Sequence, residues 1–168
     1  MLGLHMKNGK RKTYACFFRE DNKLAAKWAL KIGKWVDENH PEIKVNVKRP
    51  DMLVVLGGDG TVLEATRKYS KHEPMILPLN LGNVGFLTSV REEKDFLLAL
   101  EKFFSGDCYA ENRMLIVVEA KRKNKIVFKA ESLNEIAVQS PLSIVEIDVE
   151  IEGHSLQYIR GTGVLVST

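Results

Sequence analysis

The chain has 168 residues, of which 45% are hydrophobic and 28% charged, so it is long enough for one good core or two small ones and too apolar for a disordered segment. Its formal net charge of +3 is too small to argue for nucleic acid, though it suits an anionic ligand. No stretch approaches a membrane span and no secretory h-region opens the chain, which makes the cytoplasm the expected compartment. Cys16 and Cys108 lie far apart without metal spacing, so reduced, structural thiols are expected, and the four histidines (His5, His40, His72, His154) are read as surface residues. The basic cluster from Lys7 to Lys12 reads as a solvated face or a disordered lead.

In chain order, Thr13 to Phe18 predicts a strand. A helix follows over about 22–39, with an apolar stripe of Leu24, Trp28, Ile32 and Trp35 and with Ala25 and Val36 beside it. On that stripe Trp28 and Trp35 read as core rather than as platforms for stacked bases. Pro41 ends the helix, Ile43 to Val47 is a short strand candidate, and Pro50 marks the turn into the strand Met52 to Leu56. Directly behind that buried run stands Gly57-Gly58-Asp59-Gly60-Thr61. Glycines lack a Cβ, can take positive φ and can aim N–H groups at an anion, while Asp59 can accept a proton or hold a metal. The same tripeptide Gly-Asp-Gly also suits a hairpin turn, but Val62, Leu63, Thr66 and Tyr69 have helical spacing instead of alternation. The segment therefore predicts strand, glycine turn and helix, with the helix N-terminus facing the anion.

Met75 to Leu79 predicts another short strand, and a second glycine-containing turn runs from Asn80 to Thr88. Ser89 with Glu92 forms a candidate capping box for a helix carrying Phe96, Leu100, Phe103 and Phe104, closed by Gly106. Alternation of this kind predicts parallel βαβ units over residues 1–107. Beyond them the pattern becomes antiparallel β: Met114 to Glu119 and Lys125 to Lys129 flank a polar turn, and Ile144 to Ile151 and Leu156 to Ile159 flank Glu152-Gly153-His154. A boundary near Asp107 leaves residues 108–168 as the start of a β-rich domain, marginal in size by itself. The chain stops inside the apolar run Val164-Leu165-Val166, so it is expected to be a fragment with an exposed, association-prone edge.

With Gly57 to Thr61, the Asn80-to-Thr88 turn, Leu133-Asn134-Glu135 and the closing Gly161 to Thr168 all in order, the chain resembles NAD kinases. Gly-Gly-Asp-Gly alone is shared with phosphofructokinases and with diacylglycerol and sphingosine kinases; the later motifs decide. The resemblance implies a Rossmann-like α/β domain followed by an antiparallel β-sandwich, incomplete here. It implies transfer of the γ-phosphoryl of ATP, or of polyphosphate, to the 2′-hydroxyl of the adenosine ribose of NAD, giving NADP. Asp59 matches the catalytic base, and Gly58, Gly60 and Thr61 the loop around the phosphates. Leu63 and Phe86 match apolar contacts to the dinucleotide, and Asn134 and Glu135 the groups that bind ribose hydroxyls and adenine. Arg160 matches a position facing phosphate or a neighbouring subunit, or forms a surface ion pair. Thr162 stands where the family usually carries an aspartate at the nicotinamide end. Mg²⁺ or another divalent cation would arrive with ATP, with no metal held by the chain itself. A homodimer or homotetramer is implied for the full-length protein, with neither nucleic acid nor membrane as partner. The alternatives are a lipid or sugar kinase sharing the glycine loop, or a non-catalytic NAD(P)-binding fragment.

Overall fold

The structure, a computed structural model, describes residues 4–5 (backbone only), 11–83 and 85–168. The expectations for His5, for Lys7 to Lys10 and for Val84 within the second turn lie outside the described side chains. The chain forms two compact units, dividing between Asn112 and Arg113. The first contains β1 (Leu4–His5), β2 (Thr13–Phe17), α1 (Lys23–Asn39), β3 (Lys44–Val45), β4 (Met52–Leu56), α2 (Asp59–Tyr69), β5 (Met75–Leu79), α3 (Phe96–Ser105) and β6 (Tyr109–Ala110). The second is all β: β7 (Ile116–Arg122), β8 (Lys125–Ser132), β9 (Glu135–Gln139), β10 (Val145–Ile151), β11 (His154–Gly161) and β12 (Gly163–Ser167).

In the first unit β3, β2, β4 and β5 form a parallel sheet in that order. All five residues of β4 are buried, which is what a near-continuous apolar run requires when both faces of a parallel sheet are covered. The short β1 pairs antiparallel with β6, a pairing the sequence gives no sign of. Cys16 on β2 is partly buried against the core, and that burial pushes its thiol up to about 12; both cysteines are free.

Asn22 caps α1, its Oδ1 accepting from the Ala25 amide at 3.0 Å. The buried face is Ala25, Trp28, Ile32 and Val36. The predicted stripe was centred differently: Leu24 is 42% exposed and Trp35 sits at the margin against Phe104. Four-residue steps drift by about 40° per turn, so a stripe begun at Leu24 leaves the core-facing sector at one end. Trp28 is core, as read, packing on Phe96 and donating its Nε1–H to Glu93 at 2.6 Å. His40 corrects its reading as a surface residue. As the C-cap of α1 it packs against Trp35 and Phe104, with Nε2 3.3 Å from Glu101.

The capping box at Ser89 and Glu92 does not form. Ser89 and Val90 instead donate their amides to Pro78, and Val90 accepts from Asn80, which extends the β5 ladder by one parallel bridge. A 3₁₀ turn at Glu93–Asp95 then leads into α3, whose Asp95 N-cap makes no side-chain bond. Gly106 closes α3 in the left-handed conformation, as its position suggested.

The second unit consists of the antiparallel pairs β7–β8, β10–β11 and β9–β12. Two-residue turns make the first two hairpins: Lys123 and Asn124 have φ of 47° and 62°, Glu152 and Gly153 of 52° and 78°. Both central residues at positive φ is the type I′ signature, whose twist matches that of the strands. Among the described residues no helix is long and apolar enough to cross a membrane.

Candidate active site

The carboxyl ends of β4 and β5 carry the two glycine-containing turns, and in a parallel sheet ligands bind beyond such ends. The Gly57 amide donates to the Leu79 carbonyl at 3.0 Å, tying the two strand ends together. A Cβ at Gly57 would lie 2.8 Å from the Cβ of Thr61, so the bare backbone there admits the Thr61 side chain, which is buried. The helix begins earlier than its apolar spacing suggested. Gly58 is the extended N-cap, its carbonyl accepting from Thr61 at 2.9 Å and Val62 at 3.2 Å, and Asp59 and Gly60 already belong to the first turn of α2. Of the three glycines expected to supply positive φ, only Gly57 has it. What this loop offers an anion is therefore the leading amides of α2, which precede the intrahelical ladder, and the positive end of the helix dipole, rather than a nest of glycines at positive φ.

Asp59 does not point freely into solvent. Its Oδ2 accepts from the Phe86 amide at 2.8 Å and its Oδ1 from the Leu87 amide at 3.0 Å. One main-chain donor thus holds each carboxylate oxygen, leaving further lone pairs for a ligand hydroxyl. The turn that supplies these amides is itself braced by Asn80. That buried side chain accepts from Gly82 at 3.0 Å and donates to the Asn83 carbonyl at 3.1 Å, an Asx-type brace. Asn80 as an organising residue was not singled out from sequence, although an Asn followed two residues later by Gly after a strand carries that signal. Phe86 is 96% exposed, its ring directed away from the core, while Leu63 on α2 is half-buried. Beside this turn, between Asn80–Gly82 and Arg91–Lys94, lies an open groove of about 420 Å³.

The remaining predicted residues belong to the β unit. Asn134 directly precedes β9 and Glu135 opens it, with Asn134 Nδ2 bonded to Glu135 Oε2. The Asn134 carbonyl accepts from the Thr168 amide at 3.0 Å, and Thr168 Oγ1 donates to the Leu133 carbonyl at 3.2 Å. The structure thereby brings together two motifs more than thirty positions apart, because β9 pairs with β12. Arg160 faces Glu146 across the β10–β11 ladder at 3.9 Å, and both side chains are largely exposed. Thr162 is the exposed single residue between β11 and β12, its carbonyl accepting from Ser140 at 3.0 Å. Among the described residues no group of three His, Cys, Asp or Glu side chains could hold a metal ion.

Comparison with known proteins places this geometry. The ATP-NAD kinase N-terminal domain matches residues 4–108. The chain is 37% identical over 120 residues to the NAD kinase of Geobacter metallireducens, covering 70% of this chain and 42% of that protein. It is 35% identical over 122 residues to the NAD kinase of an Azoarcus species (71% and 41%) and 32% identical over 120 residues to that of Natranaerobius thermophilus (70% and 42%). The chain thus spans about two fifths of the length of the curated relatives it matches. Among solved structures, yeast NADH kinase complexed with NADH superposes with a TM-score of 0.82 at 20% identity, over 96% of this chain and 58% of that one, a likeness of fold.

Proposed function

The chain belongs to the ATP-NAD kinase family, and from that premise we propose that it serves the transfer of the γ-phosphoryl group of ATP, or of polyphosphate, to the 2′-hydroxyl of the adenosine ribose of NAD. The observation that carries this reading is the Asp59 carboxylate, held by two main-chain amides at the start of α2 beyond the carboxyl end of β4. Asp59 takes the proton of the 2′-hydroxyl as that oxygen attacks the γ-phosphorus and the bond to the bridging oxygen of the leaving diphosphate breaks. The leading amides of α2 at Gly58 to Gly60 receive negative charge that builds on the transferring group. A divalent cation suits the site as a passenger on the nucleotide. Carried in on the nucleotide, such a cation would neutralise charge on its phosphates, and the lone pairs that the two amides leave on Asp59 face the same site.

Leu63 and Phe86 supply apolar contact to the dinucleotide; an aromatic ring left 96% exposed has contact area to offer. Asn134 and Glu135 bind ribose hydroxyls and adenine, the amide both donating and accepting and the carboxylate accepting. Arg160 meets phosphate or a neighbouring subunit, and Thr162 meets the nicotinamide end through a hydroxyl without charge. The two units correspond to the α/β and β-rich domains, with a functional boundary near Asp107, and the working protein is a cytoplasmic homo-oligomer.

The test is NADP formation from Mg²⁺-ATP and NAD by this chain and by Asp59→Asn. General-base help is worth about 10²- to 10⁴-fold, so the variant should lose that much rate while keeping calorimetric NAD binding. A variant as fast as the parent removes Asp59 from the chemistry.

A further inference from the structure

Gly85 directly precedes the two amides that hold Asp59. A Cβ built at position 85 would fall 2.7 Å from Asp59 Oδ2 and nearer still to Oδ1 and Cγ, and these three are the atoms nearest to it. The backbone at Gly85 is not among those with positive φ, so the position demands space and not a special conformation. Its neighbours contrast with it: a Cβ at Gly60 meets open space, and at Gly82 only Asn80 Oδ1 at 3.9 Å. Nor can the obstruction yield cheaply. Asp59 has a short side chain anchored in the first turn of α2 and bonded at both oxygens, whereas the main chain of residues 85–87 is held by the braced turn.

We infer that Gly85 is a positioning residue for Asp59: the missing Cβ lets the second turn close on the carboxylate, so that the Phe86 and Leu87 amides fix where the base points. The role in catalysis rests on the kinase reading above, while the contact itself does not. A methyl group at 85 pushes carboxylate and amides apart and releases the base from its orientation, and misplacement by about 1 Å can cost on the order of 10²-fold in rate.

The test is a double-mutant cycle in the 168-residue chain: Gly85→Ala, Asp59→Ala, both together, and Gly33→Ala on α1 as control. In thermal melts Gly85→Ala should lower the midpoint by roughly 5 °C in the parent and far less in the Asp59→Ala background, where the clashing atoms are gone. The amide proton resonances of Phe86 and Leu87 should move upfield in Asp59→Ala and in Gly85→Ala alike, and stay in place in Gly33→Ala. Additive melting losses, or unmoved resonances in Gly85→Ala, overturn the inference. For the rate, Gly85→Ala should slow NADP formation about 10- to 100-fold and slow Asp59→Asn no further. Losses that multiply would reduce Gly85 to a packing requirement and overturn its positioning role. Absence of NADP from the parent chain would instead count against the kinase reading for this polypeptide, and the melts and resonances would still decide the contact.

Discussion

In the α/β unit a carboxylate is fixed by amides from a turn 27 and 28 residues further along the chain, above a strand every residue of which is buried. In the β unit the Asn134–Glu135 pair is held by Ser132, which donates to the Glu135 carbonyl, by Thr168, which donates to the Asn134 carbonyl, and by one strand pairing, in a unit that leaves Ile126, Phe128 and Leu165 more than half exposed. The first arrangement is preorganised by a core, because turn and helix have few other places to go once the sheet is packed. The second is set by ladder hydrogen bonds and turn chemistry, which specify register but bury little, and a two-stranded ribbon is marginal in water. The two units should therefore respond differently to the same kind of perturbation.

The largest effect that would break this contrast concerns the core. Phe96 is fully buried against Trp28, and Phe96→Ala should cost about 3–5 kcal/mol in denaturant unfolding of the α/β unit. Amide exchange on β10 and β11 should change little; equal loosening of both units would refute the division. Next comes the β9–β12 ladder, where a Cβ at Gly163 would crowd the Val138 carbonyl and lie 2.8 Å from the Gln139 Cα. Gly163→Ala should cost about 1–3 kcal/mol, seen as lost exchange protection on β9 and β12 with β4 unaffected.

A smaller effect sharpens the comparison through pH. Asp51 accepts from the Lys12 and Thr13 amides and the Thr13 hydroxyl, and these bonds, the Lys12 amide first, hold its carboxyl below the usual carboxylate range. A depressed value in the folded state means stability that is complete above the unfolded value near 4 and is lost as pH falls through the folded value. Since the group is exposed, the gain is below about 1 kcal/mol, and Asp51→Asn should flatten the acid limb of the α/β unit's melting curve by that amount. Smallest is Arg160→Ala. Its pairing with Glu146 at 3.9 Å in solvent is worth at most about 0.5 kcal/mol, so melting should hold. A fall in NAD or ATP affinity in that variant, read by calorimetry, would place Arg160 on a phosphate.

Much of this was legible from residue order, for reasons that differ by element. Met52–Leu56 and Met75–Leu79 are bounded correctly because each is a short apolar run between breakers; the two hairpins are legible as hairpins because a polar turn separates the strands, but their strands run further into the polar residues than apolar pattern shows, to Arg122 and from His154. Asp59 stands out in the sequence because a lone carboxylate among glycines behind a buried strand has few structural uses. What was not legible was non-local and made by main chain. No pattern marks Phe86 and Leu87 as donors to Asp59, or Ser89 and Val90 as a continuation of β5 in place of a helix cap. Leu24 and His40 were misplaced because helix rotation and the packing of α1 on α3 are settled by the whole core, not by local spacing.

The grip on Asp59 is made of main-chain N–H groups, which every residue but proline possesses. The identities of positions 86 and 87 are therefore decoupled from the task of aiming the carboxylate, and the side chain at 86, which faces outward, is open to variation in what it greets there. On the function proposed above, orientation of the base and choice of the molecule brought to it are written at separate positions of one short turn. Such a turn can be retuned by substitution for a new acceptor without dismantling the arrangement that holds the base.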